Sequence, residues 1–228
     1  MTRKAFFDLD GTIVEGSAGV ELARILSELE NCGKWREFWE NQELFKNNRA
    51  SYDDLIEKLS DNFAKGIKNT DARVVDRAVQ QLRQRIKIRA NFCELHSWLV
   101  ENRFEIFVLT SSPVEVFGAI SDFHFTETFG LVLDRNDKYT GRCILAMTTQ
   151  IKKKIINQEV ARGTSFSFGV SDCVHDLEAY EKVDIKFLLS GSGSQDDRYF
   201  TVSNLLSVKR IVNNYLKLEE NEETMETE

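Results

Sequence analysis

Residues 4–12 read KAFFDLDGT, a short apolar run that ends in two aspartates and a Gly-Thr pair. The apolar part is typical of a buried β-strand, and the polar residues follow where such a strand ends. Because side chains alternate along a strand, Asp8 and Asp10 point to the same side. The sequence therefore predicts a first strand that presents two carboxylates together at its carboxyl end.

The pattern changes after this strand. From about Ser17 to Ile88 the apolar residues recur at helical spacing. Ser51, followed by Asp54 three residues later, is typical of the amino-terminal cap of a helix. This block predicts several helices and no strand.

Beyond Ile88, strand and helix patterns alternate. The predicted elements are a helix at 92–99, a strand at 104–112, a hairpin at 131–145, a helix at 150–161, strands at 165–172 and 184–190, and a closing helix at 203–216 capped by Ser203. Such alternation indicates a mainly parallel sheet covered by helices. Residues 217–228 form an acidic tail, which we expect to be disordered.

Polar side chains follow three of the predicted strands. DLDGT ends the first, Thr110-Ser111-Ser112 ends the second, and the run from Ser171 to Asp176 ends the third. Ligands of open parallel sheets bind outside the carboxyl ends of the strands. The three segments are therefore expected to assemble one polar site.

The segments DLDGT, VLTSS and SDCVHD, in this order, resemble the signature motifs of the haloacid dehalogenase superfamily, and most of all its phosphoserine-phosphatase-like branch. The resemblance implies an α/β fold, with a Rossmann-like three-layer core, a mainly parallel sheet and an inserted all-helical cap. Residues 1–15 and 89–216 would form the core and residues 16–88 the cap.

The resemblance also implies roles for individual residues. Asp8 matches the nucleophile that attacks phosphorus, and Asp10 matches the general acid and base. Thr110 matches the hydroxyl that binds the transferring phosphoryl group. Ser111 and Ser112 either contact phosphate or cap the helix that follows, and the sequence does not decide between these alternatives.

A lysine near the phosphate is a further expectation from the resemblance. The segment IKKKIINQ (151–158) offers three lysines, and the apolar helix face that follows favours Lys152 over Lys153 and Lys154. A lysine run is also typical of a solvent-exposed helix face, and this alternative stays open.

An aspartate that attacks a phosphate needs a cation between the two anions, and Mg²⁺ favours oxygen ligands. The expected partial shell is the Asp8 carboxylate, the backbone carbonyl of Asp10 and the Asp172 carboxylate. Asp176 would hold a metal-bound water or orient Lys152, and it is otherwise a simple acid at a helix amino terminus.

The chain departs from the family pattern at two places. Ser171 stands where the third motif has glycine, and its side chain is expected to crowd the metal loop. Ser17 stands where phosphoserine phosphatases carry a cap glutamate, with Glu15 two residues earlier. This second difference argues against phosphoserine as the substrate.

These observations predict a Mg²⁺-dependent phosphatase that hydrolyses a small phosphorylated metabolite through an aspartyl phosphate on Asp8. A phosphotransferase with the same intermediate and a non-catalytic binding protein are the alternatives. The chain has no basic stripe for nucleic acid and no apolar run of membrane-spanning length, so we expect neither partner and a cytoplasmic location. The sequence does not predict the oligomeric state.

Overall fold

A computed structural model describes residues 2–29, 35–46, 51–190 and 197–225, with side chains at all of these except 43–46 and 219–225. The strands are β1 (Thr2–Asp8), β2 (Val14–Glu15), β3 (Lys87–Ile88), β4 (Phe104–Pro113), β5 (Glu127–Arg135), β6 (Tyr139–Leu145), β7 (Thr164–Ser171), β8 (Ile185–Leu189) and β9 (Phe200–Val202). The helices are α1 (Ala18–Leu29), α2 (Arg36–Lys46), α3 (Tyr52–Gly66), α4 (Ala72–Arg85), α5 (Phe92–Glu101), α6 (Thr149–Ala161), α7 (Val174–Leu177) and α8 (Leu205–Met225).

Within the described residues, seven strands form the main sheet in the order β6-β5-β4-β1-β7-β8-β9. Each neighbouring pair is parallel except β5 and β6, which form the predicted hairpin. β1 lies between β4 and β7, so the three strands with polar ends are adjacent. The prediction of a mainly parallel sheet is confirmed.

Helices cover both faces of the sheet because β1 is apolar on both sides. Phe6 stacks on Phe107 and packs in the same cluster as Ile156 of α6. Phe7 faces the opposite way and contacts the ring of Phe92 of α5 edge-on. Full burial of each phenylalanine stabilises the fold by roughly 1.5–3 kcal/mol. The core therefore has the three layers that the resemblance implied.

The predicted helical insertion is present as α1–α4. It leaves and rejoins the core through a short antiparallel ribbon in which β2 pairs with β3. This ribbon was not predicted. Ser51 caps α3 as predicted, since its hydroxyl accepts a hydrogen bond from the Asp54 amide at 3.2 Å. The cap also contacts the sheet, because the Asn69 amide donates to the Tyr139 carbonyl at 2.8 Å.

The carboxyl-terminal helix differs from the prediction in two respects. Its amino-terminal cap is Asn204 rather than Ser203, because the Asn204 side-chain oxygen accepts from the Ser207 amide at 3.0 Å. The helix also continues to Met225, into the acidic segment for which disorder was predicted. Residues 226–228 of that segment lie outside the described residues.

None of the helices in the described ranges is both long enough and apolar enough to cross a lipid bilayer.

Candidate active site

The adjacent ends of β1, β4 and β7 open into a cavity of about 590 Å³ between the core and the helical cap. The cavity lies at this edge of the sheet because neighbouring parallel strands end on the same side. Seven of the candidate residues named from the sequence line the cavity: Asp8, Asp10, Ser111, Ser112, Lys152, Asp172 and Asp176.

A buried ion-pair network lies at the floor of the cavity. The Lys152 ammonium donates to Asp8 Oδ1 at 2.8 Å and to Asp176 Oδ1 at 2.9 Å. Lys152 reaches them because it lies in the first turns of α6, on the face turned to the sheet. Lys153 instead pairs with Glu181 near the surface, and Lys154 is exposed. Of the three lysines, Lys152 is therefore the one at the cavity.

The network carries more negative than positive charge. Burial raises the pKa of Asp8, and the nearby carboxylates of Asp176 and Asp10 raise it further against the opposing effect of Lys152. Burial alone would lower the pKa of Lys152, but Asp176 and Asp8 outweigh it and raise that pKa. One ammonium thus faces two buried carboxylates, and an additional cation at Asp8 would relieve the imbalance.

Three hydrogen-bond donors hold the Asp10 carboxylate. Oδ1 accepts from the Ala18 amide at 2.5 Å, at the start of α1. Oδ2 accepts from the hydroxyls of Thr110 at 2.8 Å and Ser112 at 2.6 Å. The Gly19 amide donates to the same Ser112 hydroxyl, and a Cβ at Gly19 would lie 2.3 Å from it. Asp10 therefore joins the first cap helix to the end of β4.

The three hydroxyl residues at the end of β4 contact different parts of the site. The strand continues to Pro113, so Thr110 and Ser112 share one side and Ser111 takes the other. Thr110 is fully buried and directed at Asp10, so its hydroxyl does not reach the cavity. Ser111 lines the cavity and donates to the Met147 carbonyl at 2.9 Å. The 3₁₀ segment Val114–Ile120 begins after Pro113, so neither serine caps it.

Asp172 meets the loop that follows β1. Its backbone amide donates to the Thr12 hydroxyl at 3.0 Å, and burial raises the pKa of its carboxyl. Gly11 has a φ of +74°, and a Cβ there would lie 1.9 Å from Asp172 Oδ2. Only glycine allows both the left-handed turn and this close approach. The Arg89 side chain fixes the same turn by donating to the carbonyls of Gly11 and Thr12.

The residue types at this end of the cavity are those that magnesium ions bind in proteins. Asp8 and Asp172 have carboxylates at the cavity. The backbone carbonyl of Asp10 belongs to the turn that follows β1. Among the described residues no group of three or more His, Cys, Asp and Glu side chains suits a metal ion. A shell of two carboxylates, one carbonyl and water is typical of Mg²⁺, which retains several waters. The uncompensated negative charge around Asp8 also favours a cation there.

Ser171 was expected to crowd the metal loop, but its side chain does not do so. The residue is fully buried, and its hydroxyl donates to Asp176 Oδ2 at 3.3 Å and accepts from the Cys173 amide at 3.1 Å. Asp176 is therefore held by Ser171 on one oxygen and by Lys152 on the other. Of the two predicted roles of Asp176, this contact is consistent with orienting Lys152.

The model of the haloacid dehalogenase-like hydrolases matches residues 5–181. The chain belongs to this family. The match covers all three motif segments, and it confirms the resemblance and the prediction of a hydrolase. Comparison with curated protein sequences gives no significant match.

Solved structures show the fold of this haloacid dehalogenase-like hydrolase in other proteins. It is similar to a probable phosphoserine phosphatase from Vibrio cholerae, with a TM-score of 0.75 and 13% identity over 97% of this chain and 67% of that one. A phosphoserine phosphatase from T. onnurineus has a TM-score of 0.64 and 19% identity over 94% and 96% of the two chains. A phosphoserine phosphohydrolase-like protein from Francisella tularensis has a TM-score of 0.65 and 14% identity over 93% and 100%.

Two cap residues of the hydrolase contact the site without having been predicted. Asp53 Oδ1 accepts from the Thr149 amide at 2.8 Å, at the amino terminus of the helix that carries Lys152. The Tyr52 ring stacks on His175 with 4.8 Å between ring centroids. In the sequence, Asp53 is one of two acids in the first turn of α3, and no local pattern connects it to α6. Arg89 was missed for the same reason.

Proposed function

We propose that this protein is a Mg²⁺-dependent phosphatase that hydrolyses a small phosphomonoester through an aspartyl phosphate on Asp8. The observation that carries the proposal is the Asp8 carboxylate, which faces the cavity with Lys152 bound at 2.8 Å and Asp10 beside it. The family membership supports hydrolysis. The position of the three motif segments around one cavity supports phosphoryl transfer.

Asp8 acts as the nucleophile. A carboxylate oxygen forms a bond to phosphorus while the bond from phosphorus to the ester oxygen breaks. Lys152 has three N–H donors, of which two bind Asp8 and Asp176. Its third donor is available to a phosphoryl oxygen, so Lys152 both orients the nucleophile and binds the transferring group. Ser111, at the cavity wall, is the second candidate for phosphate contact.

Asp10 acts as general acid and then as general base. It gives a proton to the departing alcohol, and afterwards it takes a proton from the water that attacks the aspartyl phosphate. The Ala18 amide and the Thr110 and Ser112 hydroxyls fix its carboxylate. Thr110 is therefore proposed as a positioning residue for Asp10, in place of the phosphate contact that the sequence predicted.

Asp8, Asp172 and the Asp10 carbonyl would hold Mg²⁺, which supplies positive charge near the attacking carboxylate and the phosphate. Asp176 keeps Lys152 in place and is not proposed as a ligand. The inward position of Ser171 removes the crowding that had favoured a non-catalytic protein. Transfer to a second alcohol instead of water uses the same residues.

The direct test is release of inorganic phosphate from a generic phosphomonoester, with and without Mg²⁺. We expect release that a chelator abolishes and that the Asp8→Asn variant lowers by at least about 1000-fold, because Asn lacks the nucleophilic oxygen anion. Asp54→Asn, which changes an exposed aspartate in the cap, serves as the matched control. Equal rates for Asp8→Asn and the wild type would rule out the proposed mechanism.

A further inference from the structure

The cavity has an apolar wall on the side of the cap. Five side chains of the cap form it: Val20, Phe38, Ile56, Leu59 and Phe63. Pro113 and Leu131 continue the wall on the core side. A leaving group held at Asp8 extends toward this wall, because the phosphate end of the cavity is the polar floor.

Charge is distributed unequally over the cavity. Among the lining side chains that the structure describes, the acidic groups and Lys152 all belong to the core floor. Glu15, the acid nearest in sequence to the expected cap glutamate, pairs with Lys87 at 2.7 Å on the outer ribbon. Ser17 lines the cavity in its place. An ammonium or carboxylate on the leaving group would lose hydration against this wall without gaining a counter-charge there.

The wall does offer neutral polar groups. Gln42 lines the cavity with its amide, and Ser60 lines it with a hydroxyl that already donates to the Ile56 carbonyl at 2.8 Å. Such groups can satisfy a hydroxyl, ether or carbonyl oxygen on a bound molecule. They cannot neutralise an ion.

Aromatic geometry favours a ring in the leaving group. Phe38 and Phe63 contact each other edge-to-face, with 5.7 Å between centroids and 84° between planes. Both side chains line the cavity, and aromatic side chains make favourable contacts with a bound ring. The cavity of about 590 Å³ also lies within the range for a ligand larger than an amino-acid phosphate.

We propose that the leaving group is an uncharged, largely apolar alcohol that carries a ring. This inference rests on the proposed phosphatase function and adds its substrate class. In the reaction, the bond between phosphorus and the ester oxygen breaks, the alcohol leaves with a proton from Asp10, and water completes the release of inorganic phosphate.

The test compares two primary alkyl phosphates with the same two-carbon linker. 2-Phenylethyl phosphate carries a ring at the end of the linker, and O-phosphoethanolamine carries an ammonium there. The two substrates are compared because both are phosphate esters of primary alcohols. We expect kcat/KM for 2-phenylethyl phosphate to be higher by about 100-fold, because burial of an unpaired charge is costly. O-Phospho-L-serine carries an ammonium and a carboxylate on its leaving group, so its kcat/KM should be as low as that of O-phosphoethanolamine.

A pair of variants tests whether the wall causes the preference. Leu59→Arg places a positive charge in the cavity wall, and Glu57→Gln adds the same unit of charge at an exposed position of the same helix. Each rate is divided by the rate with acetyl phosphate, whose leaving group is small, so that a general loss of activity cancels. Leu59→Arg should reduce the rate with the phenyl ester, relative to the rate with acetyl phosphate, at least about tenfold, and Glu57→Gln should leave that ratio unchanged.

The outcomes separate this inference from the function on which it rests. Turnover of acetyl phosphate together with equal or better use of O-phosphoethanolamine would overturn the substrate class alone. An unchanged ratio of the phenyl ester rate to the acetyl phosphate rate in Leu59→Arg would do the same. If Leu59→Arg does not fold, Val20→Arg introduces the charge from α1 and is judged by the same ratio. Absence of Mg²⁺-dependent turnover of all four phosphates would instead refute the phosphatase function, and the inference with it.

Discussion

At the residue scale, one ammonium group holds two buried carboxylates at the site. Lys152 is about 2% exposed and binds Asp8 and Asp176 at less than 3 Å. Removal of one member of a buried ion pair leaves an unpaired charge that has lost its hydration. Lys152 is therefore important for stability as well as for the proposed chemistry.

We predict that Lys152→Met destabilises the protein by about 3–5 kcal/mol, because Asp8 and Asp176 lose their only described ammonium partner in a buried environment. The measurement is urea unfolding followed by circular dichroism. Lys154→Met, two positions away on the exposed face, should unfold like the wild type. The Lys152→Met/Asp8→Asn double variant should recover part of the lost stability. Equal effects at positions 152 and 154 would contradict this account.

The sequence predicted which residues meet at the cavity where a motif and a strand end coincide. This combination predicted Asp8, Asp10 and Asp172. The run of three lysines predicted Lys152 as one of three candidates. The sequence predicted that Thr110 contacts the phosphoryl group, and in the structure its hydroxyl donates to Asp10. Arg89 and Asp53 act across long sequence separations, so no local pattern indicated them.

At the element scale, the amino terminus of α6 is capped from another helix. Thr148 supplies one local cap by accepting from the Ile151 amide at 3.3 Å. Asp53 of α3 supplies a second by binding the Thr149 and Gln150 amides. A carboxylate is favourable there because it satisfies free amides and interacts with the helix dipole. This contact ties the cap to the helix that carries Lys152.

We predict that Asp53→Ala lowers stability by about 1 kcal/mol, the usual cost of a lost cap. It should also lower kcat, because α6 and its Lys152 are then held less firmly. Steady-state kinetics and urea unfolding test both effects. Asp54→Ala changes the neighbouring, exposed acid of the same helix turn and is the control. A kcat that is unchanged in Asp53→Ala would show that the contact does not position the site.

The elements themselves were predictable where apolar periodicity extends over several turns or over a full strand. The buried strands and the cap helices are of this kind. The β2–β3 ribbon was not predictable, because strands of two residues have no period and their pairing joins positions 14–15 to 87–88. The amino-terminal capping residue of α8 was predicted as Ser203 instead of Asn204, because both residue types are good helix caps.

At the scale of the whole molecule, the cap and the core share one hydrophobic cluster. Phe38 and Phe63 of the cap belong to the same buried set as Phe7 and Val108 of the sheet. Backbone hydrogen bonds between residues 69–70 and Tyr139 add to this contact. A cap packed in this way is expected to depend on the core for its stability.

We therefore predict that cap and core unfold in a single transition. Trp35 and Trp39 lie in the cap and Trp98 lies in the core. Tryptophan fluorescence of a Trp98→Phe variant follows the cap, and far-UV circular dichroism follows the whole chain. The two urea midpoints should coincide. A cap transition at clearly lower urea would show that the two parts are energetically separate.

The central claim is that Asp8 becomes phosphorylated during turnover. The most direct measurement is rapid acid quenching of the enzyme with acetyl phosphate and Mg²⁺, followed by mass spectrometry of the peptide that contains residues 4–12. This account predicts a phosphoryl group on Asp8 that accumulates transiently in the wild type and is absent from Asp8→Asn. A phosphoryl group on another residue, or turnover by Asp8→Asn at the wild-type rate, would contradict it.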